Sequence, residues 1–244
     1  MYRASSVGDQ PACGNGQNSF PQFVGLLYRS ATRNSGHRVM ARQFFRGRPF
    51  RNTHENRAFD RLCHAVELYT QNTDDVRVIG NVEYDSGQID ALVLKSHAIT
   101  IVDFKDWGGV ITIGPNLPWV NQDGLKVKGG SYANPFMQIC AYRAELASDL
   151  ETAKWPGQDY SHISGFVLFL QNTEFQMYPH DPFSGETGHW FSAGDWDGGV
   201  QHICHLSSPK LDLSVAQLDE LVSLLGVKSY IPQPQGRLVA ASDL

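Results

Sequence analysis

Gly87-Gln88-Ile89-Asp90-Ala91-Leu92-Val93-Leu94, continued across Lys95-Ser96-His97 by Ala98-Ile99-Thr100-Ile101-Val102-Asp103-Phe104-Lys105, is the stretch that decides the fold. Two runs rich in β-branched and apolar residues flank a short polar turn, which reads as a β-hairpin. Pairing Leu94 with Ile99 sets Leu92 against Ile101 and Asp90 against Asp103. Directly opposed residues share a face with Cβ atoms about 4.5–5.5 Å apart, and alternation puts Lys105 on the same side as Asp103. Two carboxylates this close repel, and each pKa rises unless a cation sits between them. A hard divalent ion is the natural cation, because oxygen ligands suit magnesium. The lysine two positions on offers a positive group to a phosphate oxygen or an attacking water. The same residues also admit a plainer reading. In it Asp90 ends a strand, and Asp103 with Lys105 forms an exposed ion pair contributing under about 1 kcal/mol.

Working outward, residues 76–79 form a further short strand, and 110–113 with 119–120 form another pair before the Gly-rich Gly129-Gly130-Ser131. Upstream, Phe59, Leu62, Cys63, Val66 and Tyr69 recur at three- and four-residue spacings, which predicts an amphipathic helix of roughly 16–18 residues starting near Asn52. Asn52 and Glu55 stand as cap and partner. Downstream, Asn134-Pro135 opens a second helix reaching about residue 151. Residues 163–170 are a nearly continuous apolar run, hence a buried strand. Residues 171–199 read as a long polar loop, 202–206 as a short strand, and 214–225 as a closing helix with a Ser214/Gln217 capping box. Apolar clusters within 21–50 suggest short helical pieces. The order predicts an α/β domain with a central mixed sheet flanked by helices.

At 244 residues and 41% hydrophobic content the chain can bury a substantial core. It lacks any apolar run of the roughly 18–20 residues that a bilayer crossing needs. The first twenty residues lack a signal peptide's apolar centre, and four scattered cysteines form no CxxC pair. A disulfide scaffold and a zinc ribbon are thereby excluded, and a cytoplasmic location is expected. The net charge of −5 hides an uneven distribution. Nine arginines between Arg29 and Arg61 face only Glu55 and Asp60, a local +7 that leaves −12 for the rest of the chain. Such a stretch is either a phosphate-facing surface, with Arg38, Arg42, Arg46, Arg48 and Arg51 as contacts, or a solvated basic arm.

The run Asn81-Val82, Gly87-Gln88-Ile89-Asp90, residues 99–102 with Asp103-Phe104-Lys105-Asp106-Trp107-x-Gly109, then Trp119 and Asn134-Pro135-x-x-Gln138, resembles the nuclease-related domain, NERD, of the PD-(D/E)xK nuclease superfamily. The resemblance covers about residues 52–226 and implies a restriction-endonuclease-like core. It makes Asp90 and Asp103 metal-binding carboxylates and Lys105 the catalytic lysine, with Glu55 the acidic residue from the first helix and the Phe104 carbonyl a further ligand. Gln138 and Tyr142 are similar to the Gln-x-x-x-Tyr signature of the RecB-like branch. Ile89 stands where many members have proline, and Asp103 is one methylene shorter than the commoner glutamate.

The expectation is therefore a Mg2+- or Mn2+-dependent deoxyribonuclease, with RNA also open as substrate. A helicase or other motor is implied as a partner domain. The domain plan is an N-terminal arm over 1–50, a nuclease domain over 51–226, and a tail or linker over 227–244. The alternative is a catalytically silent nuclease fold that binds nucleic acid or a protein. Weaker candidates are His202, Cys204 and His205, whose spacing does not suit zinc, and His180, Asp181, Glu186 and His189, which could line a groove.

Overall fold

The structure is a computed structural model that describes residues 42–71, 74–84, 87–155 and 162–234, all within the unit Val39–Leu244. The elements run β1 (Arg42–Arg46), α1 (Thr53–Tyr69), β2 (Val76–Tyr84), β3 (Gly87–Lys95), β4 (Ala98–Lys105), β5 (Gly109–Ile113), β6 (Trp119–Asn121), β7 (Lys126–Val127) and α2 (Pro135–Thr152). After them come β8 (Ile163–Phe169), β9 (Thr173–Met177), a single 3-10 turn (Thr187–His189), β10 (Phe191–Asp195), α3 (Trp196–His205), α4 (Val215–Leu224) and β11 (Lys228–Ser229). Seven strands form a central mixed sheet in the order β10-β8-β4-β3-β2-β1-β11. A four-stranded sheet, β7-β6-β5-β9, stands apart from it. This mixed α/β architecture fits a restriction-endonuclease-like core.

Two cores sandwich the central sheet. Leu92, Leu94, Ile99 and Ile101 pack with Ile139, Leu146 and Leu150 of α2 and with Leu218 and Leu221 of α4. Ala91, Val93, Val102 and Phe104 pack on the other side with Phe59, Leu62 and Val66 of α1 and with Val200 and Ile203 of α3. Period-two alternation along β3 and β4 thus delivers one stripe to each helix layer. The hairpin register is the expected one, with Leu94 opposite Ile99 and Leu92 opposite Ile101. Helix α1 has 17 residues, and the Ser214/Gln217 capping box is formed. No helix among the described residues is long and apolar enough to cross a membrane.

Four expectations are corrected. The segment 42–46 is not helical: β1 lies parallel to β2, with α1 as the connection between them. Residues 202–205 belong to a helix rather than a strand, with Leu206 as its C-cap. Gly198 and Gly199 do not break α3, because a Cβ on Gly199 would come within 2.8 Å of Leu168 and 3.0 Å of Phe166. Gly199 lets the helix lie close on β8, and Lys95 Nζ caps its far end by donating to the Cys204 and Leu206 carbonyls, each at 2.6 Å. The long loop 171–199 instead holds β9, the 3-10 turn, β10 and the start of α3. Part of the expected tail also belongs to the sheet. β11 pairs antiparallel with β1, and Tyr230 stacks on Phe59 at 5.5 Å. The central sheet therefore draws strands from both sides of 51–226, while residues 235–244 lie outside the described set.

Candidate active site

The hairpin ladder stops one pair short of the two aspartates, at Ala91 opposite Val102. Beyond it the Asp90 carboxylate replaces the ladder: its Oδ2 accepts from the Phe104 amide at 2.7 Å. Strict alternation also ends here, since Ile89 joins the same core as Leu92 and Leu94. Opposite this point on β2, Asn81 adopts a positive φ of 53°, and its side-chain amide donates to the Arg48 carbonyl at 2.8 Å. Asp90 and Asp103 are thus neighbours, but through a local parting of β3 and β4 rather than an ideal opposed pair.

Asp103 is 1% exposed. Lys105 Nζ donates to its Oδ1 at 3.0 Å and lies 2.7 Å from Oδ2. Oδ2 is buried and meets that ammonium as an ion pair, outside hydrogen-bond geometry. The ammonium also donates to Gln138 Oε1 at 3.2 Å, and Gln138 Nε2 donates to the Tyr142 hydroxyl at 2.6 Å. Two residues on β4 and two a helical turn apart on α2 therefore form a continuous chain, Asp103–Lys105–Gln138–Tyr142. Helix α2 is set in place by Asn134, whose Oδ1 accepts from the Met137 amide, with Pro135 in the first turn.

Burial is the main cause that lifts the Asp90 carboxyl well above the usual carboxylate range. The neighbouring Asp103 charge adds to it, while Lys105 and the Phe104 amide pull the other way. Asp103 is raised as well, by burial first, with Lys105 opposing. One cation serves two carboxylates in a poorly solvated corner, so negative charge there is in excess. Burial likewise pushes the Tyr142 phenol up, against its bond from Gln138.

Glu55 stands apart from this chain. It lies on the stripe of α1 that continues through Phe59, Leu62 and Val66, and its carboxylate accepts from the Asn52 amide group at 2.8 Å. Asn52 occupies the N-cap position without a side-chain cap bond, so the expected cap is replaced by this side-chain pair. The Glu55 charge still reaches Asp90 and Asp103, being a lesser cause of the rise in both. Among the described residues no group of three or more His, Cys, Asp or Glu side chains is placed to hold a metal ion. The donor set nevertheless fits one in kind: two buried carboxylates sharing a single lysine, with the Phe104 main chain between them.

Sequence reading passed over Gly87. Its φ is +142°, and a Cβ there would stand 2.9 Å from the Tyr142 hydroxyl, so only glycine lets that hydroxyl reach the start of β3. The signal was available as the glycine three residues before Asp90.

The basic segment divides. Arg42 donates to Thr70 Oγ1 at 3.0 Å and to the Thr70 carbonyl at 2.6 Å, which ties β1 to the end of α1. Arg46 lies 4.2 Å over the Tyr230 ring and bonds Asn56. Both are committed to packing, contrary to the expected role in phosphate contact. Arg48 is exposed in a pair with Glu83 at 3.2 Å, Arg51 is exposed, and Arg38 lies outside the described residues. Asp181, placed in a possible groove, instead accepts from the Asn116 and Leu117 amides and holds that loop. His202 stacks on Phe166 at 5.5 Å.

Residues 51–170 match the family model of the nuclease-related domain, NERD. The chain carries a nuclease-related domain. No curated protein and no solved structure matches it. Glu55, Asp90, Asp103, Lys105, Gln138 and Tyr142 all fall within the NERD segment, as do α1, α2 and strands β2 to β8. The strand β1 and the elements from β9 onward lie outside it.

Proposed function

We propose that the chain is a metal-dependent nuclease that hydrolyses phosphodiester bonds in DNA, working in the cytoplasm. The observation that supports this most is the chain Asp103–Lys105–Gln138–Tyr142 beside Asp90, inside the NERD segment. A Mg2+ or Mn2+ ion held by Asp90, Asp103 and the Phe104 carbonyl, with Glu55 close by, would supply Lewis acidity and a more acidic bound water. Lys105 offsets negative charge that develops on the phosphate oxygens, and an ammonium already fixed by two partners needs little reorganisation to do so. Gln138 holds Lys105 at its free side and is itself held by Tyr142. Hydrolysis adds water across one P–O bond, with the hydroxyl going to phosphorus and the proton to the departing deoxyribose oxygen. Among the described residues of the basic segment, Arg48, Arg51 and Arg57 are exposed and could meet the DNA backbone.

A second reading, a silent nuclease fold that binds nucleic acid or a protein, is favoured by one observation: no three-ligand group is assembled among the described residues. Plasmid and linear single-stranded substrates incubated with Mg2+, Mn2+, Ca2+ or EDTA separate the two. Cleavage that needs Mg2+ or Mn2+ and is lost in Asp103→Ala supports the nuclease. Binding without cleavage under every metal supports the silent fold.

A further inference from the structure

The loop between β7 and α2 is not used by the chemistry above, yet it rests on the site. Gly130 has a φ of +61°, and a Cβ placed on it would lie 3.5 Å from Gln138 Nε2, so the loop backbone covers the glutamine that holds Lys105. Its neighbour Gly129 is pressed against the Asn134 carbonyl, with no room for any side chain. The turn is closed by the Tyr132 amide donating to the Gly129 carbonyl at 2.9 Å. Tyr132, half-buried, is close enough to Tyr142 to bear on its phenol. The loop is thus fixed in place over the α2 side of the site.

Two lysines lead into it. Val127 is buried in the core, while Lys126 and Lys128 on either side of it are exposed. Alternation therefore turns both ammonium groups to the same outer face. Neither makes an ion pair among the described residues, and Asp123 in the preceding turn is engaged with Asn121. Residues two apart on a strand are about 6.6–6.8 Å apart, comparable to the step between successive phosphates along one strand. Lys128 is two residues from Gly130, at most about 7.6 Å along the chain, which puts its backbone next to the loop over Gln138.

We infer that Lys126 and Lys128, carried by the Gly129–Tyr132 loop over Gln138, contact substrate phosphates next to the scissile one on the α2 side. This rests on the nuclease reading and deepens it. It gives the site a second basic wall, opposite Arg48 and Arg51 at the α1 side. The pair acts on binding rather than on the bond-breaking step, since neither lysine touches Asp90, Asp103 or Lys105.

The test is binding of a fluorescent DNA duplex by the full chain in Ca2+, measured across a salt series, together with cleavage in Mg2+. Lys126→Gln/Lys128→Gln should weaken binding severalfold and reduce the slope of log K against log salt by about 1.8, or 0.9 per contact. KM should rise with kcat little changed. Lys154→Gln, which removes one exposed charge beyond the end of α2, should leave slope and KM as they were. Wild-type slope and KM in the double variant would overturn the loop assignment and leave the nuclease reading standing. A wild-type chain that neither binds DNA with salt dependence nor cleaves it would overturn both.

Discussion

Two ion pairs in this molecule place a nearly buried cation beside an aspartate, and they differ in what the aspartate is surrounded by. Arg77 on β2, with 2% of its side chain exposed, reaches Asp219 of α4 at 2.9 Å, and Asp219 is 53% exposed. Lys105 on β4, 12% exposed, reaches Asp103, whose side chain is 2% exposed. At Arg77 the cation is buried and its anion is hydrated, with a further bond from the guanidinium to the Val76 carbonyl. At Lys105 the anion is buried and a second carboxylate stands beside it. The first arrangement satisfies its charges and fastens a helix to the sheet. The second leaves negative charge in excess, which helps no fold and suits a site that receives a cation.

The comparison breaks most visibly under truncation. Asp103→Ala should abolish cleavage, and Lys105→Ala should lower kcat by about 10²–10³-fold while leaving metal affinity near wild type by titration calorimetry. If Lys105→Ala loses metal affinity as fully as Asp103→Ala, the lysine is structural and the division of roles fails. At the other pair, Asp219→Ala leaves a buried guanidinium without its anion and should cost about 2–3 kcal/mol in urea unfolding. Cleavage per folded molecule should not change.

Glu55→Gln sharpens the boundary of the site. The change keeps the bond from Asn52 within reach but removes a charge felt by both aspartates, so a functional Glu55 predicts a kcat loss of about tenfold or more with unchanged stability. Full activity would return Glu55 to the helix end.

The smallest effect tests the excess charge itself. Asp90→Asn keeps an acceptor for the Phe104 amide and removes one of the two crowded charges. Because folding raises the carboxyl pKa values, the folded state holds its protons longer than the unfolded chain does. Their cost is absent below the unfolded value of about 3.9, grows as pH rises, and is complete above the folded values. In EDTA, Asp90→Asn should therefore be more stable than wild type by on the order of 1 kcal/mol near neutral pH. The gap should close as the pH is lowered towards the unfolded value. A gap that widens on acidification would mean that the wild-type pair is stabilising.

The parts legible in the sequence are those whose signal lies within a few neighbouring residues. The β3–β4 register followed from apolar alternation around a three-residue turn, α1 from its three- and four-residue spacing, and α2 and α4 from their caps. Asp103 and Lys105 could be paired because period two on a strand puts them on one face, whereas Gln138 and Tyr142 came from the resemblance to the Gln-x-x-x-Tyr signature. The NERD resemblance rested on the same local motifs.

What only the tertiary structure decided lies where strength comes from distant partners. β1 is a strand because it pairs with β2, thirty-odd residues away, and β10, with Ser192, Ala193 and Gly194, is one because it pairs with β8. Helix α3 keeps Gly199 because Phe166 and Leu168 leave no room for a side chain there. The arginine cluster looked uniform as a charge count, yet Thr70 and Tyr230 took Arg42 and Arg46 into packing and left Arg48 and Arg51 to solvent. The parting of β3 from β4 at Asp90 was equally out of reach, since it depends on a side chain displacing a backbone partner. Sequence periodicity determines which face a residue is offered to; the pairing of segments far apart in the chain decides what it meets there.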